Sequence, residues 1–207
     1  MTAPITVHIV EDDPSMRASL ARLVGDGGYQ LALFASAEDF LAVATPDLAG
    51  CVLLDLRLPG LSGLELQERL VERGCLLPVV FLTAHGELPA GVRAMKQGAV
   101  DFLEKPVPAD TLFAAIAAAV ARDAVARRNR EDAADLTARV ASLSQREREV
   151  WLRVVRGQLN KQIAYDLGIV ERTVKLHRAA AMTKLGAASL AEMVLVAERL
   201  GLIGGGE

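Results

Sequence analysis

Cys51-Val52-Leu53-Leu54-Asp55 places four apolar residues directly before a carboxylate. A short apolar run that stops this abruptly reads as a buried strand of a parallel sheet. Three other runs end the same way. Val7-His8-Ile9-Val10 is closed by Glu11 and Asp12, Pro78-Val79-Val80-Phe81-Leu82 by Thr83, and Asp101-Phe102-Leu103-Glu104 by Lys105. In a parallel sheet all four ends lie on one edge, where α/β folds place their ligand sites. That edge would carry three carboxylates, one hydroxyl and one ammonium, a set suited to a divalent cation and a transferable phosphoryl group. Three clustered carboxylates are costly without a cation, so a purely structural cluster is the weaker explanation.

Outward from these runs, short β-like stretches alternate with helical patterns, as βα units do. Strands are expected near 6–10, 30–34, 51–55, 78–83 and 101–105, with helices near 15–25, 37–44, 64–73 and 89–97 and a fifth from Ala109. Pro14 suits a first helical turn, since its missing N–H would be unpaired there. Ser36 suits an N-cap. Asp13 fits the acid-favouring start of a helix better than a third ligand position. His85, in a glycine-flanked loop, reads as a solvent-exposed residue and not a catalytic base.

The 207 residues allow two modules, and 52% hydrophobic content with only 4% aromatics implies aliphatic cores. Residues 1–121 carry 8 basic and 15 acidic residues, net −7, and residues 122–207 carry 15 and 11, net +4. A basic second module is a candidate for nucleic acid. Cys51 and Cys75 form neither a disulfide framework nor a zinc site, which fits a reducing compartment. With no signal-peptide pattern and no apolar run near bilayer length, a soluble, cytoplasmic protein without membrane contact is expected.

From Ala109 to about Ala141 the sequence favours helix, with Leu112, Ile116 and Val120 as one stripe. Arg127 with Glu131, and Arg128 with Asp132, are spaced as i,i+4 pairs on an exposed face. Whether this stretch is one helix or two stays open. Beyond it the pattern is all-helical, near 145–156, 160–167, 171–185 and 190–200, with capping-box patterns at Ser144-x-x-Glu147 and Ser189-x-x-Glu192. Gly157 and Gly168 sit where helices should stop, and Gly204-Gly205-Gly206 reads as a frayed end. The expected domains are 1–121, a helical linker 122–142, and 143–207.

The first module resembles a response-regulator receiver domain. The residues that carry the likeness are Glu11-Asp12, Asp55, Thr83 and Lys105-Pro106, separated by 43, 28 and 22 residues counting from Asp12. The resemblance implies a flavodoxin-like, doubly wound five-stranded parallel sheet. It implies Asp55 as phospho-acceptor, with Glu11, Asp12, Asp55 and the Arg57 backbone carbonyl around Mg²⁺ or Mn²⁺. Lys105 and Thr83 would meet phosphoryl oxygens, Thr83 and Phe102 would form the switch, and Lys105-Pro106 would be cis. The surface of the fourth helix, fifth strand and fifth helix would form a homodimer on phosphorylation. Glu11 stands where the family more often has Asp.

The tail resembles the LuxR-type helix-turn-helix of the NarL/FixJ regulators, and with the receiver points to the FixJ branch. The likeness rests on Leu143-Ser144-Gln145-Arg146-Glu147-Arg148-Glu149-Val150, Asn160-Lys161-Gln162-Ile163-Ala164, Glu171 to Arg178, and Lys184-Leu185-Gly186. By that resemblance Lys175, Leu176 and Ala179 face base edges, and Lys161, Thr173, Arg178 and Lys184 meet phosphates. Ile163, Ala164, Leu167, Val174 and Leu185 would build the core. Val170 departs from the usual polar N-cap, and Ala179 from a longer residue. The last helix would supply a dimer face or only close the core.

The resulting expectation is a non-enzymatic, phosphorylation-controlled transcriptional regulator, most often an activator in this branch. Its partners would be a sensor histidine kinase, double-stranded promoter DNA and RNA polymerase. Two rivals are a phosphorylation-independent transcription factor with a vestigial receiver and an aspartyl-phosphate enzyme. The second usually has another acid two residues past the nucleophile, where this chain has Arg57.

Overall fold

In a computed structural model, described over residues 5–84 and 88–203, the chain divides into two compact units, residues 1–127 and 128–207. His85 and residues 204–206 lie outside the described residues. The first unit holds β1 (Thr6–Val10), α1 (Pro14–Asp26), β2 (Gln30–Phe34), α2 (Ala37–Val43), β3 (Cys51–Asp55), α3 (Gly63–Glu72), β4 (Val79–Thr83), α4 (Leu88–Lys96), β5 (Asp101–Glu104) and the start of α5 (Ala109–Ala141). All strand pairs are parallel, in the order β2-β1-β3-β4-β5.

Side chains alternate across a strand, so each face of this sheet has its own core. Val10, Leu54 and Phe81 pack with Phe40 of α2 and Leu66 and Leu70 of α3. Ile9, Leu53 and Leu82 pack with Leu20 and Val24 of α1 and Leu112 and Ile116 of α5. β3 and β4 are buried along their whole length, which explains their continuous apolar runs. Each such core side chain contributes roughly 1.5–3 kcal/mol.

At the N-terminal edge of the sheet two buried polar groups grip one peptide unit. The His8 Nε2–H donates to the Ala49 carbonyl at 3.1 Å, and the Gly50 N–H donates to Asp123 Oδ2 at 3.0 Å. Burial lowers the His8 pKa, against the Ala49 bond and the Asp123 charge, which raise it.

α5 is one continuous helix from Ala109 to Ala141. Neither expected pair forms on it. Arg127 donates instead to the Asp47 carbonyl at 2.9 Å, and the i,i+4 pair is Asp135 with Arg139 at 2.7 Å. A backbone acceptor within reach of Arg127 outcompetes an exposed carboxylate, whose pairing in water is worth little.

The second unit adds α6 (Gln145–Val155), α7 (Asn160–Leu167), α8 (Glu171–Leu185) and α9 (Leu190–Arg199) to the end of α5. Trp151 is fully buried against Ala181, Leu185 and Met193, and its indole N–H donates to the Met193 carbonyl at 3.2 Å. Val150, Val154, Ile163, Ala164 and Val174 form a second cluster, with Leu167 half-buried beside it. Leu185 therefore belongs to the tryptophan cluster, not to that of Ile163. The capping box at Ser144 is complete. At Ser189 only half of it forms, because the Glu192 carboxylate accepts from Ala188 N–H at 2.8 Å. Gly168, at φ 63°, makes the left-handed turn between α7 and α8, and Val170 caps α8 without a side-chain bond.

Candidate functional site

The C-terminal strand ends bring the expected groups together. Asp55 ends β3 and Thr83 ends β4, while Glu11 and Lys105 directly follow β1 and β5. The Lys105 ammonium donates to Glu11 Oε2 and Asp55 Oδ2, each at 2.6 Å. Carboxylate oxygens of Glu11, Asp12 and Asp55 lie within 4.8 Å of one another. Glu11 is buried and Asp12 exposed, so the cluster opens to solvent on one side. Three carboxylates against one ammonium leave the site net negative. An all-oxygen donor set of this charge fits a hard divalent cation such as Mg²⁺.

Backbone geometry fixes the nucleophilic candidate. The Arg57 N–H donates to Asp55 Oδ1 at 3.0 Å, leaving Oδ2 for Lys105. The start of α3 folds back onto β3, with the Gly63 N–H donating to the Leu56 carbonyl at 3.1 Å. A Cβ at Gly63 would sit 2.3 Å from the Asp55 carbonyl oxygen, so that approach requires glycine. Asp13 caps α1 by accepting from Met16 N–H at 2.7 Å, in line with its expected helix-start role.

Burial lifts the Glu11 carboxyl above the ordinary glutamate range, with the Lys105 bond pulling it down and the Asp55 charge adding to the lift. Burial works against the Lys105 charge, but the bonds and charges of Asp55 and Glu11 outweigh it and hold the ammonium above the ordinary lysine value. The resting site is therefore bridged by the Lys105 ammonium, which holds Glu11 and Asp55 together.

The Thr83 hydroxyl donates to the Ala84 carbonyl at 3.1 Å. Phe102 is half-buried on β5 with its ring 6.2 Å from that of Phe81. It also fills the space beside Gly91 of α4. The Lys105-Pro106 peptide is cis. Sequence reasoning missed Arg17, whose guanidinium has no ion-pair partner among the described residues but donates to the carbonyls of Glu11 at 2.6 Å and Asp12 at 3.2 Å. A cation one turn into the helix after the acidic pair was the available signal.

In the second unit some of the basic residues are held in ion pairs and others are not. Arg139, Arg146, Arg153 and Lys184 pair with Asp135, Glu149, Asp166 and Glu147. Among the described residues Lys161 on α7, and Arg172, Lys175 and Arg178 on α8, have no intramolecular ion pair. Lys161, Lys175, Leu176 and Ala179 are exposed, and Thr173 and Arg178 half-buried. Lys184 stands apart: its ammonium is committed to Glu147 Oε2 at 2.6 Å and the Ser142 carbonyl at 3.2 Å. That bond, the backbone bond from Ser144 and the Ser144 hydroxyl hold the Glu147 carboxyl below the ordinary glutamate range. Arg172, exposed in the first turn of α8, is a further cation to which the sequence assigned no DNA contact.

Residues 7–117 match the response regulator receiver domain, and residues 141–197 match the bacterial regulatory proteins of the luxR family. The chain is 45% identical to the transcriptional regulatory protein FixJ of Azorhizobium caulinodans, over 95% of this chain and 93% of that one. It is 44% identical to FixJ of Rhizobium meliloti, over 97% and 96%. The solved structure of the response regulator StyR superposes with a TM-score of 0.88 at 44% identity, covering 95% of this chain and 100% of that one. Among the described residues no single helix is long and apolar enough to cross a membrane.

Proposed function

The chain belongs to the response regulators that join a receiver domain to a LuxR-type DNA-binding domain, and from that premise we propose how its own residues work. Such a chain is a phosphorylation-controlled transcription regulator that implies a sensor kinase and binds DNA. In our proposal the receiver spans 1–121, the linker 122–142 and the DNA-binding domain 143–207.

Asp55 is the phospho-acceptor. Its carboxylate attacks the phosphorus of the donor, an Oδ–P bond forms, and the bond from phosphorus to the donor breaks. Glu11, Asp12, Asp55 and the Arg57 carbonyl would hold Mg²⁺ or Mn²⁺, which when bound supplies charge neutralisation for the phosphoryl oxygens. Lys105 already bonds the Asp55 oxygen, so it moves only slightly to meet a phosphoryl oxygen. The Thr83 hydroxyl exchanges the Ala84 carbonyl for another phosphoryl oxygen, and Phe102 follows toward the space Thr83 vacates. The bridge from Lys105 to both Glu11 and Asp55 carries this reading.

The altered α4-β5-α5 face then dimerises. Val92 and Met95, 50% and 47% exposed, give it unpartnered apolar area. Two tails reach adjacent half-sites, with Lys175, Leu176 and Ala179 toward bases and Lys161, Thr173 and Arg178 toward phosphates. Lys184 keeps its structural bond to Glu147. Binding recruits RNA polymerase and activates transcription in the cytoplasm. The protein turns over no other substrate.

Intact-mass measurement after incubation with a small phosphodonor tests the reading. One added phosphoryl group, lost in Asp55→Asn and on chelation of divalent cations, is expected. Labelling that survives Asp55→Asn would refute the assignment.

A further inference from the structure

Tyr165 is 89% exposed, the most open of the large apolar side chains among the described residues. A protein with two tyrosines and 4% aromatics has little reason to leave one ring in water. The ring makes no aromatic contact and the phenol no hydrogen bond among the described residues.

Its position on α7 narrows what it meets. Ile163 and Ala164 point into the core. The flank bearing Asp166 turns toward α6, where Arg153 holds that carboxylate at 2.8 Å. Lys161 and Tyr165, spaced i,i+4, share the other flank. Both are exposed and neither has an intramolecular partner among the described residues, so the flank offers one ammonium and one phenol O–H with no acceptor of its own. Anionic acceptors suit that pair. In a helix-turn-helix the helix before the reading helix crosses the DNA backbone, and tyrosine hydroxyls are among the usual phosphate donors.

We propose that the Lys161–Tyr165 flank of α7 is a DNA-backbone clamp, in which the Tyr165 phenol donates to a phosphate oxygen next to the phosphate neutralised by Lys161. The inference rests on the DNA-binding reading of this domain. It adds a neutral contact that fixes register without reading sequence.

The test uses the full chain with phosphodonor, and two labelled duplexes: one selected by the wild-type protein from random DNA, and a scrambled one. Tyr165→Phe removes only the hydroxyl of an exposed ring and leaves the fold intact, checked by circular dichroism. The expected result is weaker binding to both duplexes by a similar factor, roughly ten- to a hundredfold for one hydrogen bond from a neutral donor to an anionic oxygen. The salt dependence should not change in Tyr165→Phe, whereas Lys161→Ala should lower its slope by about one. Wild-type affinity in Tyr165→Phe overturns the clamp; if in vitro transcription still falls, the flank meets a protein instead. A loss in Tyr165→Ala that Tyr165→Phe does not share also overturns it, since the ring and not the hydroxyl would then act. If the wild type binds neither duplex while its receiver still takes the phosphoryl group, the DNA-binding reading itself fails, and the clamp with it.

Discussion

Replacing Lys105 by methionine keeps most of the side-chain length and removes the charge that closes the acidic site. The Lys105 side chain is 17% exposed, and those of Glu11 and Asp55 are 3% and 11% exposed. Without the ammonium, two buried carboxylates face each other uncompensated. The loss has a ceiling, because the site can escape by binding a proton. From the ordinary glutamate value of 4.5, holding that proton costs about 3.4 kcal/mol at pH 7 and about 0.7 kcal/mol at pH 5, at ~1.36 kcal/mol per pH unit. The ceiling lies within the roughly 3–5 kcal/mol typical of breaking a buried pair. The sign follows from linkage. A carboxyl raised in the folded state binds its proton more tightly there than when unfolded, so stability falls as pH rises through the window. Glu11 is already raised by burial, and the substitution raises it further. Urea unfolding in chelator, followed by circular dichroism at both pH values, measures the effect. Lys105→Met should lose about 2–3 kcal/mol relative to wild type at pH 7 and regain most of it at pH 5. Added Mg²⁺ should restore part of the loss at pH 7, because a ligand of the folded state stabilises it. An equal loss at both pH values would refute the electrostatic argument and leave a packing defect.

Gly63→Ala should destabilise the receiver by about 1–3 kcal/mol through overpacking, since its Cβ would lie 2.3 Å from the Asp55 carbonyl oxygen; phosphoryl uptake should fall with it. Val170→Ser should stabilise the DNA-binding unit by about 1 kcal/mol, by giving α8 the side-chain cap it lacks. Trp151 is the only tryptophan and is fully buried in that unit, so its fluorescence follows this unfolding. Lys184→Ala should lower the Tm read by Trp151, because it unpairs Glu147, yet leave the salt slope of DNA binding unchanged. Lys175→Ala should do the reverse, lowering the slope by about one with the Tm intact.

The sheet and its active edge were legible because β1, β3 and β4 are buried on both faces. Burial there leaves continuous apolar runs whose ends announce the strand ends. Asp55, Glu11 and Lys105 were legible as a group because parallel topology sends every strand end to one edge. Lys184 was harder. Its sequence neighbours suit a phosphate contact, but the partner that claims it, Glu147, lies 37 residues away on another helix. The extra donors Arg17 and Tyr165 were hidden for opposite reasons. The value of Arg17 comes from two backbone carbonyls, which no side-chain pattern reveals. That of Tyr165 comes from exposure, which periodicity on an eight-residue helix barely constrains. The break or continuity of α5 was not readable, since its polar stretch supports a helix and a linker equally.

The central claim is that one carboxylate controls DNA binding by the other unit. Binding of the full chain to genomic DNA fragments, with and without Mg²⁺ and phosphodonor, tests it most directly, with Asp55→Asn in parallel. The account predicts donor-dependent enrichment of a two-fold repeat by the wild type and no donor response in the variant. Equal enrichment with and without donor, or an undiminished response in Asp55→Asn, would contradict it.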